Sequence, residues 1–364
     1  MHGSLEITPF TKSGFDNTKY KRLQRQNIVD RIDRFNGGKL YLEIGGGKIL
    51  HDPHASRVLP GYLPDNKKTI LKNLANITEL LFCVNSQDLA INRQLSSNAE
   101  DYADACFRMI SELETETGIK AQIALTLCSD KTETSENTFI SQANAKGYQV
   151  ARRFIINGYP SNIPVILSEN GFGKDEYLSF SKPLVVITGA ASNSGKLSTA
   201  LGQLYQDHQN GIVSGYAKFE LFPIWSLQIE HPVNLAYEAA TADIGDFNQI
   251  DTFHLESYGQ KTVNYNRDVA AFPVVKGLAD KIVSKDNAMR EYLSPTDMGI
   301  NFAGKAIIDD EVVCLASLDE IRRRSEWYTE IVARGQGDQK WITKCNSLEK
   351  RALRYIKEQG YLKN

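Results

Sequence analysis

Cysteine is scarce in this chain. Five of 364 residues are cysteine, at Cys83, Cys106, Cys128, Cys314 and Cys345, with no C-x-x-C pair among them. An odd, scattered set points to a reducing compartment and argues against a disulfide framework or a structural zinc cluster. An excess of one charge is also missing. The 42 lysines and arginines stand against 44 aspartates and glutamates, a formal charge of -2. With no overall basic field, non-specific nucleic-acid binding is disfavoured and no nucleic-acid partner is expected. No apolar run reaches membrane-spanning length, and the opening MHGSLEITPF holds no signal-peptide core. The expectation is a soluble, cytoplasmic protein with no membrane partner. Internal repeats and low-complexity tracts are absent as well. What remains is ordinary globular composition, 41% hydrophobic and 24% charged, in a chain long enough for two or three domains.

Apolar runs of strand length alternate with stretches of helical periodicity. Leu40 to Ile44, Leu80 to Val84, Ala121 to Leu127, Pro164 to Leu167 and Leu184 to Thr188 read as strands. Residues 18–35, Thr69 to Ile77, Ala99 to Glu116 and Asn137 to Ile156 read as helices. This order predicts an α/β fold: a doubly wound, largely parallel, Rossmann-like sheet with helices on both faces. Further on, Gly215 to Trp225 reads as a strand running into a turn, and Val233 to Ala242 as a helix opened by Pro232. Thr262 to Val283 reads as a helix bent at Pro273, and Leu318 to Arg334 and Ile342 to Gln359 as charged helices. The expected division is an α/β domain over 1–230 and a mostly helical, mixed α/β portion over 231–364.

The chain is organised around KPLVVITGAASNSGKLSTALGQLYQDHQ, Lys182 to Gln209. A continuous β-branched run is followed by small residues from Gly189 to Gly195, and then by Leu197, Leu201 and Leu204 at helical spacing. Strand, small-residue loop and a helix opening on Gly-Lys is the layout that cradles phosphate with backbone N–H groups and a lysine. The candidate binding residues are Gly189, Ser192, Asn193, Ser194, Gly195, Lys196 and Ser198, and the expected cofactor is ATP or another nucleotide with Mg²⁺. The match to a P-loop is imperfect. Leu197 stands where a Ser or Thr would hold Mg²⁺, and the hydroxyls of Ser198 and Thr199 come one and two positions late. The bland alternative is a tight strand-to-helix turn whose glycines only let the helix pack on the sheet.

A second polar constellation follows Leu40 to Ile44. Gly45, Gly46 and Gly47 break the strand, and His51, Asp52, His54 and Arg57 come soon after. These four are the candidate catalytic or substrate-anchoring groups, with Lys48 and Arg57 a possible clamp for an anion. The two histidines, three apart, could share one metal, but Pro53 lies between them and no third ligand is evident, so loop histidines satisfied by backbone and water are the preferred reading. In a doubly wound sheet, ligands lie beyond the carboxyl ends of strands. The loops Gly45 to Arg57, Glu169 to Lys174 and Gly189 to Lys196 are therefore expected to converge on one cleft. Other charged stretches read as solvated: the acidic loop Asp243, Asp246, Asp251, His254 and Glu256, and the helix face Arg322, Arg323 and Arg324. Ala306 to Glu311 reads as an apolar strand ending in acids, superficially a Walker B.

Five stretches carry a resemblance: KLYLEIGGGKILHDPHASRVLPGY, VITGAASNSGKLSTALGQLY, GYAKFELFPIW, HPVNLAYEAATADIGDFNQIDTFHLESYG and SPTDMGINFAGKAIIDDE. Together they resemble an uncharacterised bacterial family, domain of unknown function 1846, from about Tyr20 to past Glu311. The resemblance implies an α/β body, a helical portion and a further C-terminal α/β subdomain, much of which this chain would lack. In that family the loop also ends in Ser-Gly-Lys, as at Ser194, Gly195 and Lys196, and is followed by an apolar residue like Leu197. The displaced hydroxyl would then be a family property, favouring anion binding over P-loop ATP hydrolysis. The resemblance carries no reaction.

The first functional expectation is a binder of a nucleotide or phosphorylated metabolite, with phosphoryl transfer the first guess if chemistry occurs. The second is a non-catalytic, homo-oligomeric ligand-binding or regulatory protein. A third is a hydrolase using His51 and His54 on zinc.

Overall fold

The computed structural model describes residues 12–45, 49–95, 100–191 and 193–362. The chain opens with α1 (Asn17–Asp33) and β1 (Lys39–Ile44), and the short helices α2 (Pro53–Val58) and α3 (Asn66–Lys72) return it to β2 (Thr78–Asn85). Then come α4 (Ser86–Ala90), α5 (Tyr102–Thr117), β3 (Ala121–Cys128), α6 (Glu133–Ala145) and β4 (Val150–Phe154). They are followed by α7 (Ile163–Ile166), β5 (Leu184–Gly189), α8 (Lys196–Gln209) and β6 (Ser214–Phe219). The remainder holds α9 (Pro232–Ala240), β7 (Asn248–Ile250), α10 (Thr252–Tyr258), β8 (Val263–Tyr265) and α11 (Asn266–Ile282). Last are α12 (Pro295–Met298), β9 (Gly299–Ile300), α13 (Asp310–Ala333) and α14 (Gln339–Glu358).

Seven strands form one sheet in the order β4-β3-β2-β5-β1-β6-β9, every neighbouring pair parallel. β7 and β8 form a separate antiparallel ribbon. This is the expected α/β class with helices around a parallel sheet. All six residues of β5 are buried, which requires cover on both faces and explains why its sequence is apolar without alternation. Among the described residues, no helix is long and apolar enough to cross a membrane.

The strand order locates a crevice. β2 leads outward to β3, whereas β5 leads through α8 across β1 to β6. The connections leaving these two neighbours part in opposite directions, which opens a gap beyond their carboxyl ends.

Several elements depart from expectation. Asn137 to Ile156 is not one helix. Gly147 takes a left-handed conformation (φ 84°) after α6, and the chain continues as the edge strand β4. Pro164 to Leu167 is not a strand. Asn162 caps the short helix α7 by accepting from the Val165 N–H at 3.4 Å, and Pro164 sits in its first turn, where its missing N–H costs nothing. Thr262 to Val283 begins as strand β8 before turning into α11, with Pro273 inside that helix. Ala306 to Glu311 is not a Walker B strand. Ile307 makes an isolated antiparallel bridge with Phe15, and Asp309 is the N-cap of α13, accepting from the Val312 N–H at 3.1 Å. Carboxylates there are favoured by the partial positive charge of a helix start.

Candidate functional site

The loop between β5 and α8 is held from beneath by neighbouring strands. Thr126 on β3 donates its hydroxyl toward the Val84 carbonyl at 3.2 Å and the Ser194 carbonyl at 3.0 Å. Asn85, the last residue of β2, donates from Nδ2 to the Asn193 carbonyl at 3.4 Å. Asn193 (φ 61°) and Gly195 (φ 78°) are both left-handed, and Gly195 is the N-cap of the 14-residue α8. A side chain at Gly195 would place Cβ 2.9 Å from Thr126 Cβ, and one at Gly189 would lie 2.4 Å from Ser194 Oγ. Glycine is therefore dictated at both positions, and the loop runs directly into a helix start, whose first N–H groups have no partner within the helix. Lys196 Nζ folds back to Ser194 Oγ (3.4 Å) and the Ala191 carbonyl (3.5 Å). Ser198 stands beside the buried hydroxyl of Tyr159, whose pKa burial raises and the serine hydroxyl opposes. Ser192 lies outside the described residues, as do Gly46, Gly47 and Lys48.

This loop forms one wall of a cavity of about 730 Å³, which Asn193 to Ser198 share with Glu43, Lys218, Glu220, Tyr265 and Asp268. The size suits a nucleotide or a comparable metabolite. The wall facing the loop is a network that sequence reasoning missed. Lys218, at the carboxyl end of β6, donates to Asp268 (2.5 and 2.6 Å) and to the Tyr265 hydroxyl (2.8 Å), and lies 3.1 Å from Glu220. The Tyr265 hydroxyl donates to Glu220 at 3.3 Å, and the Tyr216 hydroxyl donates to Glu43 at 2.8 Å. Burial works against the Lys218 charge, but the adjacent Asp268 carboxylate outweighs it and holds the ammonium charged, its pKa well above the usual lysine value. Burial pushes the Glu220 carboxyl up to about 7, with Lys218 opposing the rise. Lys218 and Glu220 stand two apart on one face of a strand end in a doubly wound sheet, and that placement is the sequence signal that finds them.

The predicted catalytic residues lie elsewhere. None of His51, Asp52, His54 and Arg57 lines this cavity. Asp52 is the N-cap of α2 and pairs with Lys67 at 2.8 Å. His54 Nδ1 lies 3.0 Å from Glu320 of α13, to which Arg57 Nε donates at 2.8 Å. The Glu320 side chain is fully buried and also receives Arg323 and Arg324, so only Arg322 of that arginine run keeps the outward position expected of all three. His51 is exposed. The Glu169 to Lys174 loop does not reach the cleft either. It follows α7 rather than a strand, and Phe172 and Asp175 present their carbonyls to Gln206, far along α8. The acidic loop is structural in part: Asp251 caps α10, Asp246 pairs with Arg267 at 2.7 Å, and His254 Nδ1 lies 2.9 Å from the Ser294 hydroxyl.

Among the described residues, three potential metal-ligand atoms approach within 4.8 Å at His231, Asp310 and Cys314. The geometry is that of a hydrogen-bonded cluster. His231 Nδ1 accepts from the Val233 N–H at 3.2 Å, which puts the ring proton on Nε2, where it is donated to Asp310 at 3.0 Å. A metal would have to displace that proton. Burial first, and then Asp310, hold the Cys314 thiol protonated.

Residues 13–352 match the family model described as domain of unknown function DUF1846, N-terminal. A UPF0371 protein of Corynebacterium efficiens is 47% identical over 313 residues, 86% of this chain and 62% of the relative. One from Streptococcus uberis is 44% identical over 313 residues, 86% of this chain and 62% of its own length. One from Corynebacterium diphtheriae is 44% identical over 311 residues, 85% and 61% respectively. The chain thus spans about three fifths of the length of these relatives.

Proposed function

This chain belongs to the DUF1846 family, and we propose that it binds a phosphorylated small molecule, a nucleotide or a phosphorylated metabolite, with the phosphate at the start of α8. One observation carries the reading. The loop from Asn193 to Ser198, with two left-handed residues and Lys196, forms a wall of a cavity of about 730 Å³ that Glu43, Leu127, Phe154 and Lys218 also line from the carboxyl ends of parallel strands. Backbone N–H groups, the positive end of a helix and an ammonium group all favour an anion there. Phosphoryl transfer is an extension of this reading. Leu197 occupies the place of the Mg²⁺-holding hydroxyl, so a metal would have to be met by Ser198 from the next position and by the nucleotide itself.

The test is a thermal-shift titration with inorganic phosphate, ATP, GTP and their diphosphates, with and without Mg²⁺, on the wild type and Lys196→Ala. A ligand bound only by the folded state raises Tm with the logarithm of its concentration. The expected result is a phosphate-dependent rise that Lys196→Ala loses. A Mg²⁺-dependent preference for triphosphates would extend the reading to phosphoryl transfer, and no rise with any compound would refute it.

A further inference from the structure

We propose that the wall of the cavity facing the phosphate loop is an acid–base centre that moves a proton on a phosphorylated hydroxycarbonyl compound of the sugar-phosphate class, with Glu220 as the base and Lys218 as the fixed positive charge. The inference rests on the phosphate-binding reading of α8 and adds a substrate class and a reaction to it.

Around Lys218 the wall is polar: the tyrosines turn their hydroxyls into a network, Tyr216 to Glu43 and Tyr265 to Glu220. Carboxylates and a lysine around a phosphate-sized anchor match a ligand that carries hydroxyl and carbonyl oxygens. Lys218 keeps its charge because Asp268 binds it through both oxygens, so the ammonium stands at the cavity wall as a fixed positive charge and is not consumed as an acid. Glu220 is the other half of the device. Buried beside that lysine, its carboxyl titrates near about 7, where a general base balances protonation state against driving force. The charged and titratable groups facing it are Lys218 of β6, Glu43 of β1, Tyr237 of α9, Tyr265 of β8 and Asp268 of α11.

The step balances without any co-reactant. The Glu220 carboxylate takes the proton from the carbon next to the carbonyl. The C–H electron pair becomes the C=C bond of an enediolate, and the carbonyl electrons move to oxygen as negative charge opposite Lys218. Glu220 then returns its proton to the adjacent carbon, with a hydroxyl proton crossing between the two oxygens. Aldehyde and ketone interconvert, with no net oxidation.

The experiment incubates the full chain in D₂O with ribose 5-phosphate or glucose 6-phosphate. Unphosphorylated ribose serves as the control, and proton NMR follows the C–H signal next to the carbonyl. The expected result is protein-dependent loss of that signal for a sugar phosphate and not for ribose. The wild-type rate should rise about tenfold per pH unit below about 7 and level off above it. Glu220→Gln should slow exchange about 100-fold or more while keeping the Tm rise with inorganic phosphate. The wild-type pH profile tests the base even if that variant misfolds. A Tm rise with phosphate but no exchange from either sugar phosphate, or an exchange rate indifferent to pH, overturns the proton-transfer inference and leaves the phosphate site standing. No Tm rise with phosphate overturns both.

Discussion

Glu320→Gln is the substitution that best tests the role of the polar constellation around α2. The carboxylate is fully buried and gathers His54 at 3.0 Å, Arg57 at 2.8 Å, Arg323 at 2.6 Å and Arg324 at 3.1 Å. Burial alone would raise its pKa, but hydrogen bonds from Arg323 and His54 outweigh that and hold the carboxyl far below the usual range. Removing one charge from a buried pair costs about 3–5 kcal/mol, because the partner charges stay behind without compensation. The three arginine side chains are 16% to 25% exposed, so water screens part of that loss and the lower end, about 3 kcal/mol, is expected. For a chain of 364 residues, an unfolding entropy of about 2.1 cal/mol/K per residue turns this into a Tm drop of about 4 °C. A depressed carboxylate contributes stability above its unfolded value of about 4.5, which is lost as pH falls below it toward the folded value. The wild type should therefore lose stability on acidification below about pH 4.5 more steeply than the variant. Calorimetry on both proteins from pH 3 to 7 reads the two effects together. A variant melting within about 1 °C of the wild type, with a parallel acid limb, would refute the buried ion cluster and return His54 and Arg57 to the list of catalytic candidates.

Other consequences are read more simply. Lys196→Ala should weaken binding of inorganic phosphate about 10-fold or more, the value of one charge-assisted hydrogen bond, with Tm in the absence of ligand unchanged; isothermal titration calorimetry checks it. Gly195→Ala forces a left-handed conformation on a residue with a side chain and brings Cβ to 2.9 Å from Thr126 Cβ. It should cost about 1–2 kcal/mol or more in urea unfolding and abolish the phosphate-induced Tm rise. All five cysteines are buried, and burial raises the Cys83 and Cys345 thiols to about 11 and the Cys106 and Cys128 thiols to about 12. A thiol reagent such as DTNB should therefore label the native protein at the rate of global unfolding, and fast labelling of even one cysteine would contradict this burial.

The parts of the fold that were legible in sequence are those where a local pattern and its physical cause coincide. α8 begins at Lys196 and ends at Gln209 as expected, because a β-branched run, small residues and a leucine stripe each specify one conformation. Gly118 closes α5 in the left-handed region (φ 73°), as a C-terminal glycine should. β4 was illegible for a tertiary reason. Its VARRF sequence buries an arginine, 4% exposed, whose guanidinium donates from Nη2 to Gln203 of α8 and lies 3.9 Å from Asp175. No local rule places such a residue inside a sheet. The candidate site divides along the same line. The loop from Asn193 to Ser198 is contiguous, so its shape was readable, whereas the facing wall joins Lys218 and Glu220 to Asp268, some 50 residues later, through a contact that the sequence does not announce.

The same contact bears on whether residues 1–230 stand alone. β9 pairs with β6 through Lys218↔Gly299 and Phe219↔Ile300, and Val233, Leu235 and Ala236 of α9 are buried in the same core cluster as β1 and β6. Cutting at 230 would therefore make β6 an edge strand, uncover one continuous apolar face, and remove Tyr265 and Asp268 from the cavity wall. An exposed edge beside apolar surface is an association hazard. A fragment ending at 230 is thus expected to bind the dye ANS and to show no cooperative thermal transition. A monomeric fragment with a sharp transition would overturn this, and would show that the strands up to β6 cover their own core. Such a fragment would also separate the two halves of the site, since it would keep the loop around Lys196 but lack two of the groups that hold Lys218 and Glu220. Phosphate binding without proton exchange is then the expected outcome.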